Sequence, residues 1–286
     1  MQALNFVIKK TALIILISIL PLMANNSTLT TKAILDDMCD AIEKIKTCTY
    51  KLHTLERVDK RFDEINSLIK INSNPRKLYL INPSKKLEVL YIEGENNNDA
   101  IVNPGKFPFI TLYLNPHNQL MRKNQHHSID DLGFQFIAEM IKSSIKSNVN
   151  SFDKTFLYTG NTEWEGKLCY KIYCEFKDFK YINYKLTKNE TVREIALKFG
   201  CGEYRIVEKN DIAFDATIKK GAMVKVPNMY ANKTLIYIDI FTKLPIQIKI
   251  FDDAGLYEMY EFRDIQINKG FAKDEFLTSN KQYNFK

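Results

Sequence analysis

The sequence predicts an α+β chain, in which an antiparallel sheet with packed helices is interrupted by a small strand–helix–helix–strand unit. Three observations predict it. Short runs that alternate apolar and polar residues, separated by Asn-, Pro- and Gly-containing turns, recur between Thr47 and Tyr113 and again between Lys154 and Ile267, as antiparallel strands do. Thr30–Ile45 and Ser128–Ile145 instead carry apolar residues at helical spacing. Between Tyr181 and Asn228 both periods occur within about 50 residues, near the lower limit for a unit that folds alone.

The chain opens with Lys9 and Lys10, the only charges before residue 25, then an apolar run, Thr11–Met23, broken at Pro21 and followed by Ala24 and Asn25-Asn26. This is the layout of a secretory signal peptide with cleavage near Ala24, and the run is short for a bilayer span. An uncleaved anchor is the alternative. The first cysteine is Cys39, so a lipid anchor at the processing site is not expected. Export places the protein in the periplasm. The formal charge is +7, and removing Lys9 and Lys10 leaves +5. That mild basic balance suits an anionic polymer or membrane surface. Acids are interspersed with the bases throughout, which speaks against nucleic acid.

After export, Ala33, Ile34, Met38, Ala41, Ile42 and Ile45 form one face of a helix expected to pack on the sheet. Cys48, Tyr50, Leu52 and Thr54 then alternate. Phe62–Ile71 reads as strand with a helical alternative. Leu78 and Leu80, Leu87, Val89 and Tyr91, Ala100–Val102 and Phe109–Leu114 continue the meander, and Asn82-Pro83-Ser84 marks a hairpin. Ser128 with Asp131 resembles a capping box, so a helix of about four turns is expected to begin there. Strands follow at Lys154–Gly160, Lys167–Phe176, Thr234–Phe241, Ile246–Phe251 and Leu256–Ile267, with Asp252–Gly255 as a turn. The strand ending near Phe176 is expected to pair with the one starting near Thr234. The intervening unit is then an insertion at a hairpin tip, a tolerated place for one. The expected division is 1–24 signal peptide, 25–180 with 229–286 as one discontinuous domain, and 181–228 as the inserted one.

Within the insertion, Tyr184, Thr191 followed by Val192, Ile195-Ala196, Ile206-Val207, Asn210, and Ile218, Gly221 and Pro227 resemble the LysM domain in order and spacing. The resemblance implies a βααβ fold and binding of peptidoglycan or another N-acetylglucosamine polymer. The implied groove has Asn189, Glu190, Thr191 and Val192 on one side and Asn210, Asp211, Ile212 and Ala213 on the other. The sequence departs from the family at Asn189-Glu190, where Gly-Asp is usual, so a LysM-like fold that binds no sugar is the competing reading.

The rest of the chain carries Glu88–Gly94, Ile129–Gly133, Trp164–Tyr170 and Ile238–Pro245. These resemble a family of exported bacterial domains of unknown function, similar in pattern to the lipoprotein-carrier (LolA-like) fold. That resemblance implies a curved half-barrel sheet closed over helices, whose concave face can hold a lipid or a lipoprotein partner, or is filled by its own helices.

Chemistry beyond binding is sparse. His126-His127 beside Asp130 and Asp131 is the one histidine cluster; without metal-ligand spacing it reads as solvated, with no metal. No acyl-transfer nucleophile motif occurs, and Gly200-Cys201-Gly202 lacks the third glycine of a dinucleotide loop. No cofactor is expected. Of the five cysteines, Cys169 and Cys174 share a strand and stand about 16 Å apart if extended, too far to bridge. Small buried thiols are the preferred reading for most, although an exported chain meets oxidising conditions. Glu163 and Glu165 are the carboxylates a wall hydrolase could use, but they alternate beside a turn, as a solvated edge does. The reading is therefore a non-enzymatic cell-envelope protein, with a wall-targeted hydrolase as the alternative.

Overall fold

The computed structural model describes residues 29–107 and 109–285; the expected signal peptide lies outside them. Helix α1 (Thr31–Glu43) starts at Thr30, whose hydroxyl accepts from the Ala33 amide at 3.1 Å. It buries Ile34, Leu35, Met38, Cys39 and Ile42, the stripe its spacing predicts. The meander follows as β1 (Thr47–Val58), β2 (Arg61–Ser73), β3 (Arg76–Asn82), β4 (Leu87–Ile92), β5 (Ala100–Asn103) and β6 (Leu112–Leu114). Phe62–Ile71 is strand throughout, paired with β1 along its length and with β3 from Leu68 onward. The second half supplies α2 (Phe134–Ser147), α3 (Phe152–Thr155), β7 (Phe156–Trp164) and β8 (Lys167–Glu175), then the inserted unit, then β13 (Lys233–Asp239), β14 (Pro245–Asp252) and β15 (Gly255–Ile267).

All these strands form one antiparallel sheet of eleven, ordered β6-β5-β4-β3-β2-β1-β15-β14-β13-β8-β7. Strand β8 pairs with β13, Cys174 opposite Thr234 and Glu175 opposite Lys233, as the sequence led us to expect. The sheet bends. Leu87 on β4 and Cys174 on β8 line one cavity, although seven strand spacings, about 34 Å on a flat sheet at about 4.8 Å each, separate their strands. The inner face carries the main core with α1 and α2. The outer face takes the aromatic tail: Tyr79, Leu90, Ile92 and Ile101 pack with Phe276 and Tyr283, and Tyr283 stacks on Tyr79 at 3.8 Å. Among the described residues no helix is long and apolar enough to cross a membrane.

The inserted unit is β9 (Tyr181–Lys185), β10 (Glu190–Thr191), α4 (Val192–Phe199), α5 (Glu203–Asn210), β11 (Thr217–Ile218) and β12 (Met223–Pro227). Strands β9 and β12 pair antiparallel, and β10 and β11 make a second short ladder. Thr191 and Glu194 form a capping box at α4, and Gly200, at φ 61°, closes it in the left-handed region. Leu186, Val192, Ile195, Ala196, Ile206, Val224 and Val226 make a core of its own. The unit is nonetheless seated in the sheet domain, because Tyr204 and Phe214 belong to the main core and Glu203 and Arg205 are buried.

One element starts later than the sequence suggests. The Ser128/Asp131 capping box is present, but it caps a single 3-10 turn, Ile129–Asp131. Leu132 is extended, and Gly133 has φ 111° and ψ 168°, which no helix admits. Helix α2 therefore begins at Phe134, and Arg76 fills the break by donating to the Ile129 and Leu132 carbonyls at 3.1 and 2.7 Å.

Candidate functional site

The concave face holds a cavity of about 390 Å³. Alternation along the strands supplies most of its wall: Leu52, Ile69, Leu80, Leu87, Ile236, Ile248 and Phe262 point inward. Helix α2 contributes Phe136, Ile137 and Met140, the inserted unit contributes Phe199, and its join to β13 contributes Met229 and Tyr230. Glu56, Gln125, His127, Ser128 and Asp131 make a polar cluster on the wall, and Asn82, Lys85, Ser143 and Ser147 add polar groups elsewhere on it.

That cluster belongs to a buried ionic network. Glu258 is 1% exposed and takes His126 Nδ1 at 2.8 Å and the Tyr230 hydroxyl at 3.0 Å. His127 Nε2 lies 3.6 Å from the same carboxylate, and its Nδ1 lies 3.7 Å from Asp131. Burial alone would lower His127, but the charges of Glu258 and Asp131 beside it outweigh that and push it up. Burial alone would raise Glu258, but the charge of His127 and the hydrogen bond from His126 hold it well below the usual carboxylate range. Glu56 accepts from the His126 amide at 2.8 Å and the Tyr260 hydroxyl at 2.7 Å. The expectation of two solvated histidines is thus overturned. His126 is stacked between Tyr204 and Tyr257, 4.3 Å from each, and its Nε2 donates to the Arg57 carbonyl at 2.9 Å.

The network runs on into the inserted unit. Arg193 of α4 lies 3.7 Å from Asp131 and 3.0 Å from Glu203. Glu203 pairs with Arg122, which donates to the His126 carbonyl at 2.7 Å. Arg205 pairs with Asp252 at 3.1 Å and lies 3.5 Å over the Tyr257 ring. Among the described residues no cluster of His, Cys, Asp and Glu could hold a metal ion. All five cysteines are free and buried. Glu165 makes a forked pair with Arg263, and Glu163 is exposed on β7, an edge of the sheet.

The implied glycan-groove residues fall into two groups. Glu190 and Val192 are buried, Glu190 accepting from the Tyr184 hydroxyl at 2.5 Å. Thr191 caps α4. Asn210 clamps α5 to β12, donating to the Ile206 and Lys225 carbonyls and accepting from the Lys225 amide, each at 2.8 Å. Asn189, Asp211 and Ala213 are exposed and Ile212 is half-buried. The β10–β11 ladder and the Lys220-to-Asn189 bond at 2.9 Å brace the first side. The second side is held against the sheet domain by the Phe214 amide, which donates to Gln119 at 3.0 Å.

Sequence reasoning missed the network. A signal existed: Glu56 falls in the inward phase of β1, after Cys48, Tyr50, Leu52 and Thr54, and an acid in that phase needs a buried partner.

Residues 45–192, half of the chain, match the family model described as protein of unknown function (DUF1571). The chain belongs to that family. No curated protein matches. Solved structures similar to it include three from bacteria. The DUF1329 family protein from Desulfovibrio piger has 10% identity and a TM-score of 0.33, covering 86% of this chain and 96% of that one. The MucA/MucB complex of Pseudomonas aeruginosa has 12% identity and a TM-score of 0.41, covering 86% and 60%. Lipoprotein LppX of Mycobacterium tuberculosis has 12% identity and a TM-score of 0.39, covering 85% and 99%. Likenesses this loose set neither fold nor ligand for this chain.

Proposed function

We propose that this is an exported, non-enzymatic envelope protein that holds an elongated apolar ligand, a lipid or the acyl chain of a lipoprotein, in the concavity of its sheet. The observation that carries the reading is the cavity itself: at about 390 Å³ it lies within the range of small-molecule sites, about 300–1,000 Å³, which are mostly apolar with few polar groups. Each methylene buried there stabilises a complex by about 0.8 kcal/mol, so a chain of several carbons is the ligand that gains most. Fluorescent fatty-acid binding tests it. Ile137→Trp and Leu80→Trp fill the cavity from opposite walls, and each is expected to weaken binding at least about tenfold without loss of fold. A chain that binds no fatty acid, or variants that bind it unchanged, would sink the reading.

A second reading concerns the inserted unit, which we propose is a LysM-like module that places the protein on peptidoglycan. Its βααβ order, separate core and capped α4 support it. The exposed Asn189, Asp211 and Ala213 are the groove positions that face solvent, where a sugar would meet them.

A further inference from the structure

One loop carries large apolar side chains in solvent beside the cavity. Phe107 is 83% exposed, Phe109 60% and Ile110 53%. The sequence suggested a strand over Phe109–Leu114, but the ladder takes only Leu112–Leu114. Phe109 instead turns the chain, at φ 55°, with its amide bonded to the Lys106 carbonyl at 2.8 Å. The left-handed region is uncommon for so bulky a residue. The loop is pressed onto the β3–β4 hairpin. A Cβ on Gly105 would stand 2.3 Å from the Lys86 carbonyl oxygen, so glycine alone permits the approach. Lys85 of that hairpin lines the cavity. Lys85, Lys86 and Lys106 are all exposed, and none is in an ion pair among the described residues. No acidic residue occurs between Asp99 and Asp130.

Exposed aromatic tips ringed by lysines without counter-ions suit an interface that is apolar within and anionic at its surface. Lysine stems lie along the apolar layer while their ammonium groups meet phosphate. We propose that this loop docks the protein on an anionic lipid bilayer, with Phe107 and Phe109 inserted and the three lysines on the lipid phosphates. The Lys85 rim of the cavity then meets the membrane. The purpose of this docking rests on the apolar-ligand reading given above; the docking itself does not.

Sedimentation with vesicles of phosphatidylglycerol and phosphatidylcholine tests it, using protein that begins at Asn25 and so contains every described residue. The protein is expected to partition onto these vesicles and far less onto pure phosphatidylcholine. Lys85→Gln, Lys86→Gln and Lys106→Gln together are expected to weaken partition about 100-fold, at about fivefold per lysine. Phe107→Ser with Phe109→Ser should abolish most of it at an unchanged melting temperature, since neither side chain is buried. Equal partition onto neutral and anionic vesicles, or either variant sedimenting like the unchanged protein, would overturn the proposal and leave a protein partner on the β6 edge as the occupant. Fatty-acid binding without vesicles separates the two readings. The Phe107→Ser/Phe109→Ser variant, which changes no residue lining the cavity, should keep it, and its loss in unchanged protein that still sediments would count against the cavity alone.

Discussion

Arg122 and Glu203 join the inserted unit to the sheet domain through an ion pair whose side chains are 1% and 8% exposed. Both have further duties: Arg122 lies 4.2 Å over the Phe214 ring, and Glu203 also holds Arg193. A buried pair gives little net stability when intact, but removing one partner leaves an uncompensated charge and costs about 3–5 kcal/mol. Arg122→Met and Glu203→Gln are each expected to lose about that much in denaturant unfolding. Arg122→Met combined with Glu203→Gln should lose clearly less than the sum, because neither charge of the pair is then left without the other and Arg193 keeps Asp131. Strictly additive losses would show that the two residues are not coupled.

Stability should also depend on pH through the cavity's polar cluster. His127 is raised in the fold to about 10, above the ordinary value of about 6.5. Its contribution is therefore complete below about pH 6.5 and is lost as pH rises towards 10. Asp131 is lowered to about 2, against an ordinary value of about 3.9, despite burial, chiefly by the charge of His127. Its contribution is present above about pH 4 and lost as pH falls towards 2. Melting temperature should thus fall on both sides of neutrality. His127→Asn should lower the neutral value and flatten the alkaline side between about pH 7 and 10; an alkaline decline of unchanged steepness would assign it to other groups.

Gly133 separates the capped 3-10 turn from α2. Its φ of 111° and ψ of 168° lie in a region almost confined to glycine, worth about 1–3 kcal/mol of strain for other residues. A Cβ there would also stand 3.1 Å from Ile71 Cδ1. Gly133→Ala is expected to cost about 1–3 kcal/mol in chemical unfolding. A neutral result would mean that the turn can relax into a continuous helix from Ser128, the arrangement the capping box alone suggests.

The strands and the insertion were legible because their signals are local. Alternation in β1, the turn at Asp252–Gly255 and the capped start of α4 each act within a few residues. Gly133 was visible too, but its break depends on Arg76, 53 positions from Ile129, which takes up the freed carbonyls. The buried network, Glu56 apart, was hidden for the same reason. His126 is buried by Tyr204, Tyr257 and Glu258, all distant in sequence, so a His-His pair in a polar loop gave no sign of its surroundings. The exposed Phe109 and Ile110 read as strand because hydropathy does not distinguish an apolar residue that pairs from one that protrudes.

The glycan reading calls for a variant chosen from the fold. Asn210→Ala would seem direct, but Asn210 makes three hydrogen bonds that hold α5 to β12, so its loss would unseat the module and mimic lost binding. Thr191 has the same defect as the cap of α4, a role worth about 1 kcal/mol. Ala213 is exposed on the opposite side of the implied groove. Ala213→Arg adds bulk there while leaving the core, the ladder and the cap untouched. If the module grips peptidoglycan, protein beginning at Asn25 should sediment with purified sacculi, and Ala213→Arg should reduce this at least about tenfold, equivalent to 1.4 kcal/mol, with an unchanged melting temperature. Sedimentation that survives Ala213→Arg would move any sugar site away from the groove. No sedimentation of the unchanged protein would leave the βααβ unit as a structural wedge, fixed by Arg122, Glu203 and Arg205 against the polar cluster of the cavity.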